Sequence, residues 1–245
     1  MQDRKVFFAW FVVIGFLMKI AAEFIHEILG HGLFVLLFGG NIEAVHISIL
    51  WPYELSYINW SFLISGITSE QLAWVYAGGI LVCACISFLS QALLLMKRRI
   101  SWYFSLALFW LAFWTLTNAA GYLIIGGLRP FGDVYDLIRL GVLTSSSSLA
   151  IGLVAFVLGF IALSWILRKV LIEFFTAKKA SLGVILFWLI IPALVIVMWA
   201  SPERNLQEAY VPLAFIPALL SFVIEHFLVL PKQRANKNPD NISKH

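Results

Sequence analysis

Long apolar runs separated by short polar segments dominate the 245-residue chain. A helix needs about 20 apolar residues to cross the ~30 Å hydrocarbon core of a bilayer. The pattern predicts an all-α integral membrane protein with about six transmembrane helices, at residues 6–38, 72–96, 101–127, 148–168, 183–200 and 210–230. The first run contains no proline and no glycine pair before Gly39-Gly40, so we expect one continuous helix.

The pattern changes after the first span, where apolar and polar residues alternate. Val45 and Ile47 alternate with small or polar residues, Trp51-Pro52 interrupts the run, and a second alternation follows at residues 58–62. A period of two is typical of a strand with one buried face. We therefore predict a small membrane-associated β-hairpin over residues 41–62.

Composition narrows the class of protein further. Hydrophobic residues make up 62% of the chain and charged residues 12%, against roughly 45–50% and ~25% in soluble domains. These values exclude a soluble globular protein and a disordered chain, and two cysteines exclude a disulfide scaffold. We expect one polytopic membrane domain at 1–230, with a serine-rich linker at 145–148 and a short tail at 231–245.

The basic residues predict the orientation, because cytoplasmic segments are enriched in Lys and Arg. Most of the 17 Lys and Arg fall on one side if the N-terminus is cytoplasmic, at residues 4–5, 97–99, 168–179 and 232–244. Both termini, including the tail, are then cytoplasmic, and the net charge of +4 implies no nucleic-acid partner. A signal peptide over residues 1–22 is the competing interpretation, but the apolar pattern continues beyond it.

Ionisable residues inside a membrane helix are costly and mark functional sites. The first helix contains a cluster of them, His26, Glu27 and His31, preceded by Lys19 and Glu23. Two histidines with an adjacent glutamate are the zinc hydrolase arrangement, in which the glutamate takes a proton from metal-activated water. A buried network that only packs the helices is the alternative. Glu23 can orient the His26 ring or pair with Lys19, and we favour the ion pair.

The spacing of the two histidines is unusual. Zinc helices commonly place them four residues apart, whereas His26 and His31 are five apart. At about 100° per residue, five residues separate two side chains by about 140° on a regular α-helix, so the rings would not face one metal. A π-bulge corrects this and is frequent at functional sites. We predict such a bulge here, with the distortion least costly at Gly30.

The hexapeptide at residues 26–31, His-Glu-Ile-Leu-Gly-His, resembles the His-Glu-x-x-Gly-His motif of the dipeptidyl peptidase III family, which implies that the longer spacing can serve zinc. Residues 23–140 resemble the site-2 protease family of intramembrane metalloproteases more broadly. In that family a Gly-Gly turn, a short sheet and a helix that begins with small residues follow the zinc helix. The matching positions are Gly39-Gly40, the hairpin and Ala77-Gly78-Gly79.

This resemblance implies the rest of the site. A later helix of the family contributes an Asn and then an Asp as third metal ligand, which points to Asn118 and Asp133. Asn118 would donate to the scissile carbonyl oxygen, and Asp136 is the alternative third ligand. The chain departs from the family in its longer first motif and in Phe131-Gly132-Asp133, which replaces Leu-Asp-Gly. A helix N-cap for Asp133 and an interhelical hydrogen bond for Asn118 are the competing interpretations.

The remaining polar and sulfur-containing residues have structural interpretations. His46 is predicted on the surface of the hairpin, and Glu225-His226 at the membrane interface near the end of the last span. Cys83 and Cys85 point to different faces of a helix, and we expect both to fill apolar space.

The sequence thus predicts an intramembrane zinc metalloprotease that hydrolyses peptide bonds of membrane proteins or peptides. His26 lies about 30 Å along a helix that starts in the cytoplasm, and Asp133 follows the third span, so both fall toward the non-cytoplasmic face. A zinc-dependent hydrolase of lipid amides or esters would use the same motif. A divalent-metal transporter would spread its ligands over several spans. The expected partners are the substrate and the lipid bilayer, with the oligomeric state left open.

Overall fold

The first apolar run forms one unbroken helical segment in the computed structural model, which describes residues 4–62, 66–96, 101–202 and 208–229. The segment consists of α1 (Arg4–Phe24), a π-helical turn (Ile25–Gly32) and α2 (Leu33–Leu37). No proline removes a backbone donor along it. The prediction of a single helix is confirmed.

Five helical segments within the described ranges are long and apolar enough to cross a membrane: Lys5–Leu37, Ser69–Met96, Trp102–Leu128, Ser145–Phe174 and Ala177–Ala200. The second span is α3 (Ser69–Met96), and the third comprises α4 (Trp102–Leu116), a second π-helical turn (Thr117–Gly121) and α5 (Tyr122–Leu128). The short α6 (Gly132–Arg139) connects to the fourth span, α7 (Ser145–Phe174). Leu, Val and Phe side chains dominate the exposed surfaces of these spans, as expected with lipid as the solvent.

The last part of the chain departs from the predicted boundaries. The fifth span is divided into α8 (Ala177–Phe187) and α9 (Ile190–Ala200), because Pro192 has no N–H to donate to the Trp188 carbonyl.

The predicted sixth span at 210–230 corresponds to a shorter apolar helix, Pro212–Phe227. It combines two 3₁₀ turns (Glu208–Tyr210 and Pro212–Phe215), α10 (Ile216–Val223) and a third π-helical turn (Ile224–Val229). Five rather than six described helices therefore meet the length expected of a span. The tail at 231–245 lies outside the described residues.

The predicted hairpin is confirmed. β1 (Asn41–His46) pairs antiparallel with β2 (Tyr57–Ser61), with Ala44 opposite Asn59 and Val45 opposite Ile58. The register shifts between Ile42 and Ala44, which is the mark of a β-bulge.

Aromatic packing joins the first, third, fourth and fifth spans. Phe7 and Phe11 of α1 contact Phe174 and Trp110, with ring centroids 4.3 and 4.8 Å apart. Trp110 also contacts Phe187 of α8 at 5.5 Å. These contacts hold the first helix, which carries His26 and His31, at a fixed rotation about its own axis, and that rotation decides where its polar residues point.

The serines at 145–148 are not a linker. They form the first turn of α7, where Thr144 and Ser147 make a reciprocal capping box, and Ser148 donates a 2.8 Å hydrogen bond to the Leu123 carbonyl. Serine satisfies the free amides at a helix start, and this explains why a polar run begins a membrane helix.

Glu225 was predicted at the membrane interface, but it is 3% exposed. It pairs with Arg168 of α7, which also donates a 2.6 Å hydrogen bond to Ser181. Arg168 therefore lies inside the helical bundle rather than on a cytoplasmic loop, because a charge buried among helices needs an opposite charge beside it. His226 is exposed.

Candidate metal centre

The first π-helical turn brings the two histidines together. Hydrogen bonds from i to i+5 along Ile25–Gly32 accommodate one more residue per turn than an α-helix does. His26 and His31 consequently share a face, and their Nε2 atoms are 3.2 Å apart. Both side chains are buried. The π-bulge predicted from the five-residue spacing is confirmed.

Asp133 reaches the same point from the first turn of α6. Its Oδ2 lies 3.3 Å from Nε2 of His26 and 3.3 Å from Nε2 of His31. Gly132 has a φ of 51°, a left-handed conformation that glycine adopts readily. Burial raises the pKa of Asp133, but the neighbouring imidazoles outweigh burial and hold that pKa below its ordinary value. The N-cap position belongs to Phe131, so the N-cap interpretation of Asp133 is wrong.

The alternative ligand, Asp136, lies outside this group. Its Oδ1 is 3.2 Å from Nη2 of Arg139, one turn along α6. Among the described residues, the group with metal-binding spacing consists of His26, His31 and Asp133, whose donor atoms lie within 4.8 Å of one another.

The three donor atoms have the spacing of ligands around one small cation. Ligands bound tetrahedrally to zinc at about 2.0–2.1 Å are about 3.3 Å from each other. The separations here are 3.2, 3.3 and 3.3 Å. Two imidazole nitrogens and a carboxylate oxygen are also suitable donors for zinc, with a fourth position left open. The residues present can therefore hold a divalent metal ion.

The other ring nitrogens face partners on α3. His31 Nδ1 is 2.7 Å from the Val75 carbonyl oxygen, which can only accept, so Nδ1 carries the proton and Nε2 is free for a metal. His26 Nδ1 lies 3.8 Å from Sγ of Cys83. Cys83 was predicted to fill apolar space; it is buried and contacts a proposed ligand, whereas Cys85 is exposed.

Glycines allow α3 to approach the metal-binding helix closely. A Cβ added at Gly30 would lie 2.4 Å from the Gly79 Cα. A Cβ at Gly79 would lie 2.6 Å from His31 Nε2 and 2.7 Å from His26 Nε2. Gly79 thus lies directly against the Nε2 atoms of both histidines, and any side chain at position 79 would overlap with them.

Glu27 is a buried carboxylate between the two histidines in the chain. It follows His26 in the π-helical turn and is 5% exposed. Its charge interacts with those of His26, His31 and Asp133. A carboxylate in such surroundings is suited to proton transfer.

Asn118 lies in the second π-helical turn and contacts the first helix. Its Nδ2 donates to Oε1 of Glu23 at 3.1 Å and approaches the Ala22 carbonyl at 3.4 Å. This is the interhelical hydrogen bond that the sequence allowed as an alternative. The favoured Lys19–Glu23 ion pair is wrong, because Lys19 donates to the Ser48 carbonyl instead, at 2.6 Å.

Sequence reasoning missed Tyr122, whose ring centroid is 5.0 Å from that of His26. The four-residue spacing from Asn118 could have indicated Tyr122, because residues four apart lie on the same face of a helix. The same spacing relates Cys83 to Gly79 on α3. His46 was predicted on the surface, and its side chain is 39% exposed, 3.3 Å from Glu54.

Comparison with protein-family models, with curated proteins and with solved structures found no match for this chain. The geometry of the site and the sequence motif are therefore the basis for a functional proposal.

Proposed function

We propose that this protein is a membrane-embedded zinc hydrolase that cleaves peptide bonds of membrane-associated proteins or peptides. The observation that supports this most directly is the convergence of His26, His31 and Asp133 donor atoms within 4.8 Å, beside the buried Glu27. Two imidazoles and a carboxylate with one open position are typical of catalytic zinc sites.

Each residue has a defined task in this proposal. His26, His31 and Asp133 would hold the zinc ion, which would supply Lewis acidity toward a water molecule and the substrate carbonyl group. Glu27 takes a proton from the water as its oxygen bonds to the carbonyl carbon, and gives it to the leaving nitrogen as the C–N bond breaks. A donor role for Asn118 toward the carbonyl oxygen requires its amide to leave Glu23.

Two observations favour peptide substrates. Residues 23–140 resemble site-2 proteases, and the outer edges of β1 and β2 can pair with an extended substrate. We expect proline substitutions in β1 to impair cleavage while zinc stays bound; full activity would count against strand pairing. Transport is disfavoured because the described residues contain one compact metal-binding group rather than a series along several spans.

Zinc content and turnover of purified variants test the proposal. We expect His26→Ala, His31→Ala and Asp133→Ala to lose zinc, because each removes one of three ligands. Glu27→Gln should keep zinc and lose cleavage of membrane-protein substrates, and Asp136→Ala is the matched control that keeps both.

Unchanged zinc stoichiometry in the histidine variants would refute the metal centre. Hydrolysis of lipid extracts in place of peptides would identify the protein as a lipid hydrolase. Zinc flux into liposomes would identify it as a metal transporter.

We also propose cytoplasmic termini and a metal centre toward the opposite face, from the distribution of basic residues. In Glu43→Cys and Lys178→Cys, which change exposed positions, a membrane-impermeant thiol reagent should label the first from outside the cell. It should label the second only after permeabilisation. The reverse pattern would invert the orientation.

A further inference from the structure

The loop between β1 and β2 is tied to the metal-binding helix by buried hydrogen bonds. Ser48 and Ser56 in this loop are 1% and 7% exposed. Ser56 Oγ donates to Oε2 of Glu23 at 2.7 Å and accepts from the Ser48 amide at 3.1 Å. Lys19 donates to the Ser48 carbonyl at 2.6 Å. Two ionisable residues one turn apart on α1 thus hold both ends of the loop.

Glu23 also reaches the third span. Its second oxygen, Oε1, accepts from Nδ2 of Asn118 at 3.1 Å, so each carboxylate oxygen has one donor. The side chain is 4% exposed. Glu23 therefore links the metal-binding helix, the hairpin loop and the third span at a single buried group.

The hairpin held by this loop lies against the metal-binding turn. A Cβ added at Gly32, the residue after His31, would be 3.3 Å from Cδ1 of Ile42 and 3.3 Å from Cδ1 of Ile58. One side chain from each strand thus packs next to a proposed ligand. A shift of the loop would move both strands relative to the metal centre.

We propose that Glu23 is a positioning residue that fixes the hairpin relative to the metal centre and thereby sets how the substrate is bound. This inference rests on the proposed hydrolase function. A carboxylate suits the position because both of its oxygens accept, and both neighbours donate. Removal of Glu23 leaves Ser56 without its acceptor and Asn118 with only the Ala22 carbonyl, 3.4 Å away, and so releases the loop, while His26, His31 and Asp133 keep their contacts.

Hydrogen exchange of the full-length protein in nanodiscs, followed over residues 41–61, tests this directly. We expect Glu23→Ala to speed exchange of the hairpin amides roughly tenfold or more, since hydrogen bonds to charged groups are strong. Zinc content should stay at the wild-type value. KM should rise severalfold while kcat per bound zinc changes little.

Two further variants separate positioning from a general loss of stability. Glu23→Gln keeps a carbonyl oxygen as the acceptor for Ser56. The new glutamine NH₂ group can donate to Oδ1 of Asn118 once the Asn118 amide turns, because that oxygen has no partner among the described residues. This variant should therefore recover most of the hairpin protection. Ser87→Ala is the matched control: it removes a buried 2.7 Å hydrogen bond to the Ala112 carbonyl and should leave hairpin exchange unchanged.

Wild-type hairpin exchange in Glu23→Ala would overturn the proposal, as would equal acceleration in Ser87→Ala. Should Glu23→Ala not fold, Ser56→Ala removes the loop side of the same bond and decides the question. Exchange and zinc content need no turnover, so the two failures are distinguishable. Failure of the positioning role appears as unchanged hairpin exchange in Glu23→Ala, whereas failure of the proposed hydrolase appears as absence of cleavage by the wild-type protein.

Discussion

His26 and His31 differ in what holds their second ring nitrogen. The Val75 carbonyl, a strong acceptor, lies 2.7 Å from Nδ1 of His31. The thiol of Cys83, a weak acceptor, lies 3.8 Å from Nδ1 of His26. The imidazole of His26 is therefore held less firmly than that of His31. Its orientation depends on the side chain of Cys83, which can be substituted, rather than on a backbone carbonyl.

Substitution of Cys83 should consequently weaken zinc binding. We expect Cys83→Ala to raise the zinc dissociation constant about tenfold, the lower end of what residues that orient metal-binding histidines contribute. Cys83→Ser should stay near the wild-type value, because a hydroxyl accepts more strongly than a thiol. Competition with a chromophoric chelator measures the effect.

The exposed Cys85 provides the control, since Cys85→Ala changes a side chain on another face of the same helix. Equal zinc affinity in Cys83→Ala and the wild type would show that the thiol does not orient His26.

Local sequence carries only part of this site. The five-residue spacing of His26 and His31 predicts the π-helical turn, because both residues lie on one segment and a single metal must face both. The contact between His26 and Cys83 depends on the rotation of α3 against the first helix. That rotation follows from packing among distant segments, so residues 57 positions apart give no sequence signal for it.

At the scale of elements, the close approach of α3 to the first helix decides how much space is left between the donor atoms of the proposed metal centre. Gly79 lies against both ligand nitrogens, at 2.6 and 2.7 Å from the position of a Cβ. Contacts this short would force both imidazoles out of their present positions, because the atoms that the Cβ would meet belong to the two rings.

We expect Gly79→Ala to lose most of its zinc while it still inserts into membranes, because the added methyl group overlaps with the Nε2 atoms of His26 and His31. Metal analysis of the purified variant measures this. Gly121→Ala is the matched control, since its Cβ would meet only Thr117 Cγ2, at 3.8 Å. Stoichiometric zinc in Gly79→Ala would mean that α3 and the first helix can move apart more easily than their close contacts imply.

Elements whose hydrophobic residues repeat at a regular spacing could be predicted from the sequence. Elements whose burial depends on contacts between distant residues could not. Alternation near Val45 and Ile47 predicted the hairpin because strand period shows directly in the sequence. The loop that follows was not predicted to be buried, since Ser48 and Ser56 become internal only through their contacts with Lys19 and Glu23.

At the scale of the whole molecule, the Arg168–Glu225 pair joins the fourth span to the last apolar helix. Both side chains are 3% exposed, and Ser181 of α8 adds a hydrogen bond to the guanidinium. Charge counting along the sequence assigned Arg168 to a loop, because it cannot distinguish a basic residue at a membrane surface from one paired inside a bundle.

Loss of one member of this pair should destabilise the fold strongly. We expect Glu225→Leu to lower the free energy of unfolding by about 3–5 kcal/mol, because it leaves the Arg168 charge buried and unpaired. The double variant Arg168→Met with Glu225→Leu should recover much of the loss. Denaturation in mixed micelles measures these values.

Arg139→Ala is the control, because the Arg139 side chain is 60% exposed in its pair with Asp136 and such pairs contribute about 0–1 kcal/mol. A Glu225→Leu effect no larger than that of Arg139→Ala would contradict a stabilising role for the buried pair.

The ligand set also constrains the order of biogenesis. His26 and His31 enter the membrane with the first span, whereas Asp133 follows the third. During synthesis the chain must insert three spans, and α3 must dock its glycines, before all three donor atoms can meet. Metal binding at the proposed centre would consequently be a late event in the assembly of the first half of the molecule, and it would join the first span to a segment made about a hundred residues later.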